Sequence, residues 1–579
     1  MSFTSDMRGL SRLWPWLRPS RSLVVLGAAL IPLISGMQVV IPLVLKWSID
    51  SGVAKNDTRV IVVGGLGFLG AVLVEYALRS GQSLATAVAV HRMIKTLRKH
   101  LITHILGLSA AFHDKSLSGA MVTRATGDFD NLSESLNMGV LTAVVDCAVL
   151  VGIVAGMFAL SVPLALVAVA TLPLLGWIIA AFSSALKKAM LKARRKIAVL
   201  NAYTQECLYG SATLKALTAE TTASRKYDQL NHDYRKAQME SVVLDSLMFA
   251  VLDGISSIAI GFIFWLIAKR WFDDAHFSIG VIVAFALYMQ QLFEPLKQLG
   301  NKMAMLQGAF TSIDRIFSIL DEKQNNEGAS TPPQLRGDIC FSDVTFSYRG
   351  DDPNPVLKNV SFSVKGGESI AFVGATGSGK STVIKLLTKL YTGYKGLITI
   401  DDIDLNTIDA QSLRHQIATV PQDIVLFDGT ISFNIGLGLE GISQSDIERA
   451  AKVVQASNFI EKLPGGFNFV VREQGSNLSH GQRQLIAFAR ALARNPAIVV
   501  LDEATSSVDP ECEQAIQSAI ETILKDRSLI VIAHRLATIM KCNKIVVMGQ
   551  GKILEMGAHQ ELLAKKGAYW DLHQRALET

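Results

Sequence analysis

Residues 368 to 387 read ESIAFVGATGSGKSTVIKLL. A β-branched and aromatic run ending at Val373 passes into Gly374-Ala375-Thr376-Gly377-Ser378-Gly379-Lys380-Ser381-Thr382, and that into a pattern of helical period. Strand, glycine-rich turn and helix together form the context that the phosphate loop G-x-x-x-x-G-K-[ST] requires. The glycines let successive N–H groups wrap a polyphosphate, Lys380 neutralises it, and the Ser381 hydroxyl can ligate Mg²⁺. The stretch therefore predicts an α/β P-loop ATPase domain.

The sequence around it fits. From Asp338 to Thr579, short apolar runs (Ser369 to Val373, Leu397 to Ile400, Ala497 to Leu501, Leu529 to Ala533) alternate with helix-like segments, which predicts a mostly parallel sheet. AIVVLDEATSSVD, residues 497 to 509, places two acids where a buried strand ends. Asp502 can hold magnesium through water, and Glu503 can polarise the attacking water. Such a pair can also be an ordinary helix N-cap; the nearby phosphate loop favours the hydrolytic role. SLIVIAHRLAT puts His534 after another strand, at the sheet edge where such domains bind ligands. In NLSHGQRQLIAFARAL, residues 477 to 492, Ser479 caps a helix whose apolar residues are Leu485, Ile486, Phe488, Ala489 and Leu492. Its first-turn N–H groups suit an anion, and Gly481 admits close approach. Tyr348 in VTFSYRG and Gln422 in ATVPQDIVLF carry no signal alone.

The first half is of another kind. The chain is 50% hydrophobic and only 18% charged over 579 residues, which points to a membrane protein. Six apolar stretches, about 23 to 45, 60 to 90, 137 to 159, 162 to 184, 242 to 268 and 279 to 300, are each long enough to cross a bilayer as a helix. Glu75 and Arg79 interrupt the second, four residues apart on one helix face, where they can neutralise each other. Residues 91 to 135 hold six Lys and Arg and residues 185 to 241 hold eleven, whereas the 159 to 163 turn holds none. By the positive-inside rule, the N-terminus, both long loops and the C-terminal half are cytoplasmic. Residues 1 to 22, with Arg8, Arg12, Arg18 and Arg21, could open a signal peptide, but the apolar run behind them is about twice a normal signal core. An interfacial helix with Trp14 and Trp16 at headgroup level fits better. DEKQNNEGASTPPQLRG, starting at Asp321, reads as a linker. The expected organisation is an interfacial helix over 1–22, six membrane helices over 23–320, a linker over 321–337 and the ATPase domain over 338–579.

A net charge of +6 is small for this length and argues against a nucleic-acid binder. Cys147, Cys207, Cys340, Cys512 and Cys542 form no C-x-x-C pair, and reduced thiols are expected.

The ordered set Tyr348, GATGSGKS, Gln422, LSHGQ, VVLDEA, SSVD and His534, behind six spans, closely resembles the ATP-binding cassette (ABC) transporters, in particular exporter-type half-transporters. The resemblance covers essentially the whole chain. It implies a dimer, as a homodimer or with a different half-transporter, that moves a drug, lipid or peptide-like molecule across the bacterial inner membrane by alternating access, with ATP and Mg²⁺ as cofactors. It also implies that Tyr348 stacks on adenine, Gln422 senses Mg²⁺ and the membrane domain, Asp509 communicates across the dimer, and His534 contacts the γ-phosphate. FHDKSLSGAMVTRATGDFDNL and NAYTQECLYGSATLKALTAE look like the two cytoplasmic loops whose short coupling helices dock on the nucleotide domains. LSHGQ stands where the family has LSGGQ, whose Ser hydroxyl and second Gly N–H bind the γ-phosphate of ATP held by the other subunit. Ser479, Gly481 and Gln482 match that pattern, and His480 replaces its first glycine. An importer on the same fold, of the siderophore type, and a nucleotide-gated channel or receptor stay open; a DNA-repair or translation ATPase is opposed by the six spans. Asp146 and Asp253 read as isolated acids within the spans, candidates for the substrate cavity, and lean the cargo toward cationic or amphipathic molecules.

Overall fold

Five of the six apolar runs fold within helices much longer than a bilayer requires, and the sixth helix, Ile279–Lys297, has 19 residues. Among the described residues the six spans are Trp14–Val53, Thr58–Leu106, Met121–Leu160, Val162–Tyr209, Glu220–Ile267 and Ile279–Lys297, and the second, fourth and fifth have 49, 48 and 48 residues. At roughly 1.5 Å per residue, such helices reach roughly 72 Å, more than twice the roughly 30 Å apolar core. The basic residues at 91 to 99 and 187 to 196 therefore lie on helical extensions. The computed structural model describes residues 11–115, 118–268, 278–322, 330–348, 354–502, 510–532 and 536–578. Two compact units divide the chain: Met1–Leu106 with Ser118–Glu322, and Gly107–Leu117 with Lys323–Thr579.

In the first unit, small and hydroxyl residues bring helices together, as expected where lipid is as apolar as leucine. Ser35 Oγ donates to the Ala148 carbonyl at 2.9 Å, and Tyr288 donates to the Val39 carbonyl at 2.7 Å. Gly152 leaves room for that contact: a Cβ there would lie 2.2 Å from Ser35 Oγ. The fourth and fifth spans pair along their extensions through Lys192 with Glu240 at 2.7 Å and Lys196 with Asp233 at 2.6 Å. Of the N-terminal segment, residues 1–10 lie outside the described residues. Beyond them Trp14 is exposed, Trp16 lies 5.1 Å from the His100 ring, and Arg12 pairs with Asp321 at 2.6 Å.

The membrane charges require one correction. Glu75 and Arg79 pair at 2.9 Å, with Gln38 Nε2 donating to Glu75 at 3.3 Å. Asp146 and Asp253, however, are not isolated: Lys302 pairs with Asp146, and Lys297 with Asp253. Both lysines come from the sequence around Gln298, where the sixth helix ends and Leu299–Leu320 begins. The acids are thus neutralised from another helix, and they no longer argue for cationic cargo.

Among the described residues, the second unit holds three sheets. β1 (Ile339–Phe346), β2 (Leu357–Val364), β4 (Lys395–Ile400) and β5 (Ile403–Asp404) form an antiparallel sheet in the order β2-β1-β4-β5. β3 (Ser369–Val373), β6 (Ile417–Val420), β9 (Ile498–Asp502), β10 (Ser528–Ile532), β11 (Lys544–Gly549) and β12 (Lys552–Gly557) form the other large sheet, in the order β12-β11-β3-β10-β9-β6. All its pairings are parallel except β11 with β12. β7 (Gly429–Thr430) and β8 (Val470–Val471) make a small ribbon. Every residue of β3 and β10 is buried, because core clusters cover both faces of the parallel sheet. Three of the four expected runs sit there. The fourth, Leu397 to Ile400, belongs to the antiparallel sheet, where Leu397 is exposed and Ile398 and Ile400 are buried.

Candidate nucleotide-binding site

Backbone geometry makes the phosphate loop. Between β3 and the helix Lys380–Leu387, Gly374, Gly377 and Gly379 adopt φ of +145°, +82° and +104°, which side chains other than glycine's adopt only under strain. At Gly374 a Cβ would also fall 2.2 Å from the Met548 carbonyl, while at Gly377 it would meet open space. Ala375, Thr376 and Gly377 are exposed, and Ser378 Oγ is enclosed without a hydrogen-bond partner. Lys380, buried, donates to the carbonyls of Gly374 at 2.8 Å and Ala375 at 3.1 Å, so its ammonium lies across the loop it serves. Ser381 is exposed at the helix start. An open ring of N–H groups, an ammonium and a hydroxyl at one helix N-terminus fit a polyphosphate and a hard cation.

Parallel register gathers the remaining groups. Val420 stands opposite Leu501, and Ile532 opposite Asp502, so β6, β9 and β10 end at one edge of the sheet. Asp502 closes β9 there, and Gln422 lies exposed two residues beyond β6. Glu503, Asp509 and His534, which follow β9 and β10, lie outside the described residues.

Tyr348 sits in an aromatic group. Its hydroxyl is 3.0 Å from Thr382 Oγ1, and the Tyr391 ring meets its ring edge-on at 4.8 Å and 86°. Lys385 Nζ lies 5.5 Å from the centre of the Tyr348 ring and 5.4 Å from that of Tyr391. The Tyr391 hydroxyl donates to Asp114 on the short helix Ala110–Lys115, and Lys385 stands 3.5 Å from the same carboxylate. The Tyr391 hydrogen bond, reinforced by Lys385 and opposed by burial, holds the Asp114 carboxyl below the usual carboxylate range. Burial first, and then Asp114, pushes the Tyr391 phenol up.

The LSHGQ segment begins the 14-residue helix His480–Ala493 with a reciprocal cap. Ser479 Oγ accepts from the Gln482 N–H at 3.2 Å, and Gln482 Oε1 accepts from the Ser479 N–H at 3.0 Å. Gly481 is buried, as are Leu485, Ile486, Phe488, Ala489 and Leu492, the apolar face expected. Arg490 ties this helix to its surroundings by donating to the carbonyls of Asn434 at 2.7 Å and Val425 at 2.9 Å. His480 is exposed, its ring nitrogens 3.4 Å from Arg483 and Gln484 of its own helix.

Known proteins match at the level of the whole chain. The family described as the ABC transporter transmembrane region covers residues 24–296, and the ABC transporter family covers 357–506. The uncharacterized ABC transporter ATP-binding protein YknV of Bacillus subtilis (strain 168) is 33% identical over 98% of this chain and 94% of its own length. The ATP-dependent lipid A-core flippase of Escherichia coli (strain K12) is 33% identical over 98% of each chain. A solved structure of a bacterial Atm1-family ABC exporter with ATP bound matches with a TM-score of 0.77 and 26% identity, over 96% of this chain and 98% of that one.

The chain is an ABC transporter. It is a half-transporter of the exporter type, a multi-pass membrane protein whose fused ATPase domain couples ATP hydrolysis to transport. Within this ABC transporter, the loop Gly374 to Thr382 and Tyr348 come together, Tyr348 through its hydroxyl at Thr382, while Asp502 and Gln422 lie at the carboxyl edge of the parallel sheet. The sequence singles out none of Tyr391, Lys385 and Asp114, although Asp114 lies in the FHDKSLSG stretch and Lys385 in the helix behind the phosphate loop. Tyr391, in LTKLYTGY, belongs to no motif, and its bond to Asp114 spans 277 positions.

Proposed function

We propose that the transporter works as a dimer of such chains in the bacterial inner membrane and exports a small or amphipathic molecule. Each ATP is held between the phosphate loop of one chain and the LSHGQ helix of the other. The observation that carries the dimer is the tip of the second cytoplasmic loop. The helix Ser211–Ala216 ends the hairpin of the fourth and fifth spans, and beside it Leu208, Tyr209 and Leu217 are 70%, 84% and 70% exposed. Large apolar side chains at the cytoplasmic end of a long helical pair call for a partner surface. A nucleotide domain of the second chain supplies one.

In this reading Tyr348 stacks on adenine, and the N–H groups of 374–382 with Lys380 hold the phosphates. Ser479, Gly481 and Gln482 close on the γ-phosphate from the other chain. Ser381, Gln422 and Asp502 would hold Mg²⁺, an all-oxygen donor set suited to a hard ion that neutralises phosphate charge. Glu503 orients and polarises the attacking water, His534 contacts the γ-phosphate, and Asp509 links the two sites. The interfacial segment 1–22, spans within 23–320, linker 321–337 and ATPase domain 338–579 are the corresponding parts. The lipid A-core flippase among the relatives favours an amphipathic cargo. The decisive experiment reconstitutes the protein in vesicles and measures cargo-stimulated ATP turnover together with flux direction. Flux toward the face that bears the ATPase domain would replace export by import, and turnover without flux would favour a gated channel or receptor.

A further inference from the structure

The family motifs leave one polar cluster unused. Asp114 lies on the helix Ala110–Lys115, which the chain places between the second and third spans, yet residues Gly107–Leu117 group with the nucleotide-binding unit. Ala110 and Ala111 pack on the core that contains Tyr391 and that Tyr348 also borders. Asp114 accepts from the buried Tyr391 hydroxyl and faces Lys385, which belongs to the helix that starts at the phosphate loop. The Tyr391 ring in turn abuts the Tyr348 ring, and Lys385 lies near both. The carboxylate thus orients a phenol and an ammonium that together fix the ring of Tyr348.

We propose that Asp114, acting through Tyr391 and Lys385, is a positioning residue for the adenine platform, so that recognition of the base is linked to docking of the loop that joins the second and third spans. This rests on the reading that Tyr348 stacks on adenine. Without the carboxylate, the Tyr391 hydroxyl loses its charged acceptor and Lys385 its counter-ion, and the platform loosens. The phosphate loop has its own backbone geometry and is not loosened with it. The effect therefore falls on the base and spares the phosphates. Linkage is reciprocal: an adenine nucleotide that needs the ordered platform must also favour the docked loop.

The test uses the full-length protein in detergent and measures the affinities of ATP and of inorganic tripolyphosphate by competition. Asp114→Asn is expected to weaken ATP by roughly tenfold, the share of one charge-assisted hydrogen bond, while leaving tripolyphosphate unchanged. Asp114→Glu should recover most of the loss. Tyr391→Phe removes one oxygen and keeps the ring; it should shift ATP in the same sense, and it decides the matter if Asp114→Asn does not fold. Equal shifts for both ligands, or none for either, would overturn the proposal. Tyr348→Ala separates this failure from a deeper one. If it too leaves the preference for ATP over tripolyphosphate intact, Tyr348 is not the adenine platform at all. If it abolishes the preference while Asp114→Asn and Tyr391→Phe do not change it, only the linkage falls.

Discussion

Lys302 and Asp146 offer a sharp energetic test in the membrane half. Their side chains are 11% and 24% exposed, and they join the third span to the helix that follows the sixth. Two magnitudes compete here. Hydrogen bonds between membrane helices average only about 0.6 kcal/mol, because the separated helices find other partners. Stranding a buried charge by deleting its partner costs about 3–5 kcal/mol in soluble proteins. Asp146→Asn leaves an enclosed ammonium facing an amide, so the second effect dominates, reduced by whatever water reaches a side chain that is not fully sealed. An expected loss of about 2–3 kcal/mol follows. Lys302→Met strands the carboxylate and should destabilise similarly, whereas the double variant removes both charges and should recover most of either loss. The assay is a double-mutant cycle on unfolding free energy, fitted to denaturant transitions of purified protein. A coupling of about 2 kcal/mol or more is expected. Additive effects, or an Asp146→Asn protein as stable as the parent, would show that the pair contributes nothing and that the acid must be explained by cargo.

Gly374→Val should abolish ATP binding, because the new side chain meets the Met548 carbonyl and L residues resist a φ of +145°; binding within a few-fold of the parent would mean that the loop can adopt another shape. Glu503→Gln should retain ATP binding and lose most turnover, since the phosphate cradle remains while water loses its base. Turnover close to the parent's would remove Glu503 from that role. Ser479→Arg drives bulk and charge onto a helix start proposed to face the partner's ATP, so it should block nucleotide trapping while leaving affinity at the chain's own loop nearly intact. Mixed with Lys380→Ala chains, it should regain trapping at the one composite site that carries neither lesion; trapping equal to that of the two mutant homodimers would count against shared sites.

What could be read from the sequence follows from where each constraint lies. The phosphate loop is legible because positive-φ glycines, a lysine and a hydroxyl must occur at fixed spacing between a strand and a helix, and all of those contacts are local. The six spans are legible because hydrocarbon thickness sets a minimum length. Leu397 to Ile400 reads like the runs of the parallel sheet yet pairs antiparallel with β1, because a four-residue apolar run does not say whether its neighbours run parallel. The partners of Asp146 and Asp253 were missed for a different reason. Lys302 is 156 positions from Asp146, just beyond an apolar run, and Lys297 sits near that run's end, so no local spacing ties either lysine to its acid. The bond from Asp114 to Tyr391 has no periodicity and no motif, and only the folded chain brings the two together.

His480 shows how local geometry can explain a departure from a family pattern. Glycine is indispensable where φ is positive or where a Cβ would strike a neighbour, as at Gly374. Position 480 opens an α-helix, is not among the positive-φ residues, and carries an exposed side chain. Its ring rests against Arg483 and Gln484, three and four residues on, where helical spacing brings side chains together. The backbone there asks nothing of glycine. The neighbouring Gly481 differs, because it is buried. The cap between Ser479 and Gln482 fixes the direction of the first-turn N–H groups and forms from backbone and side-chain atoms of those two residues, with no contribution from residue 480. A side chain at 480 therefore leaves the shape of the anion-binding turn intact, and what it changes is the surface presented around that turn.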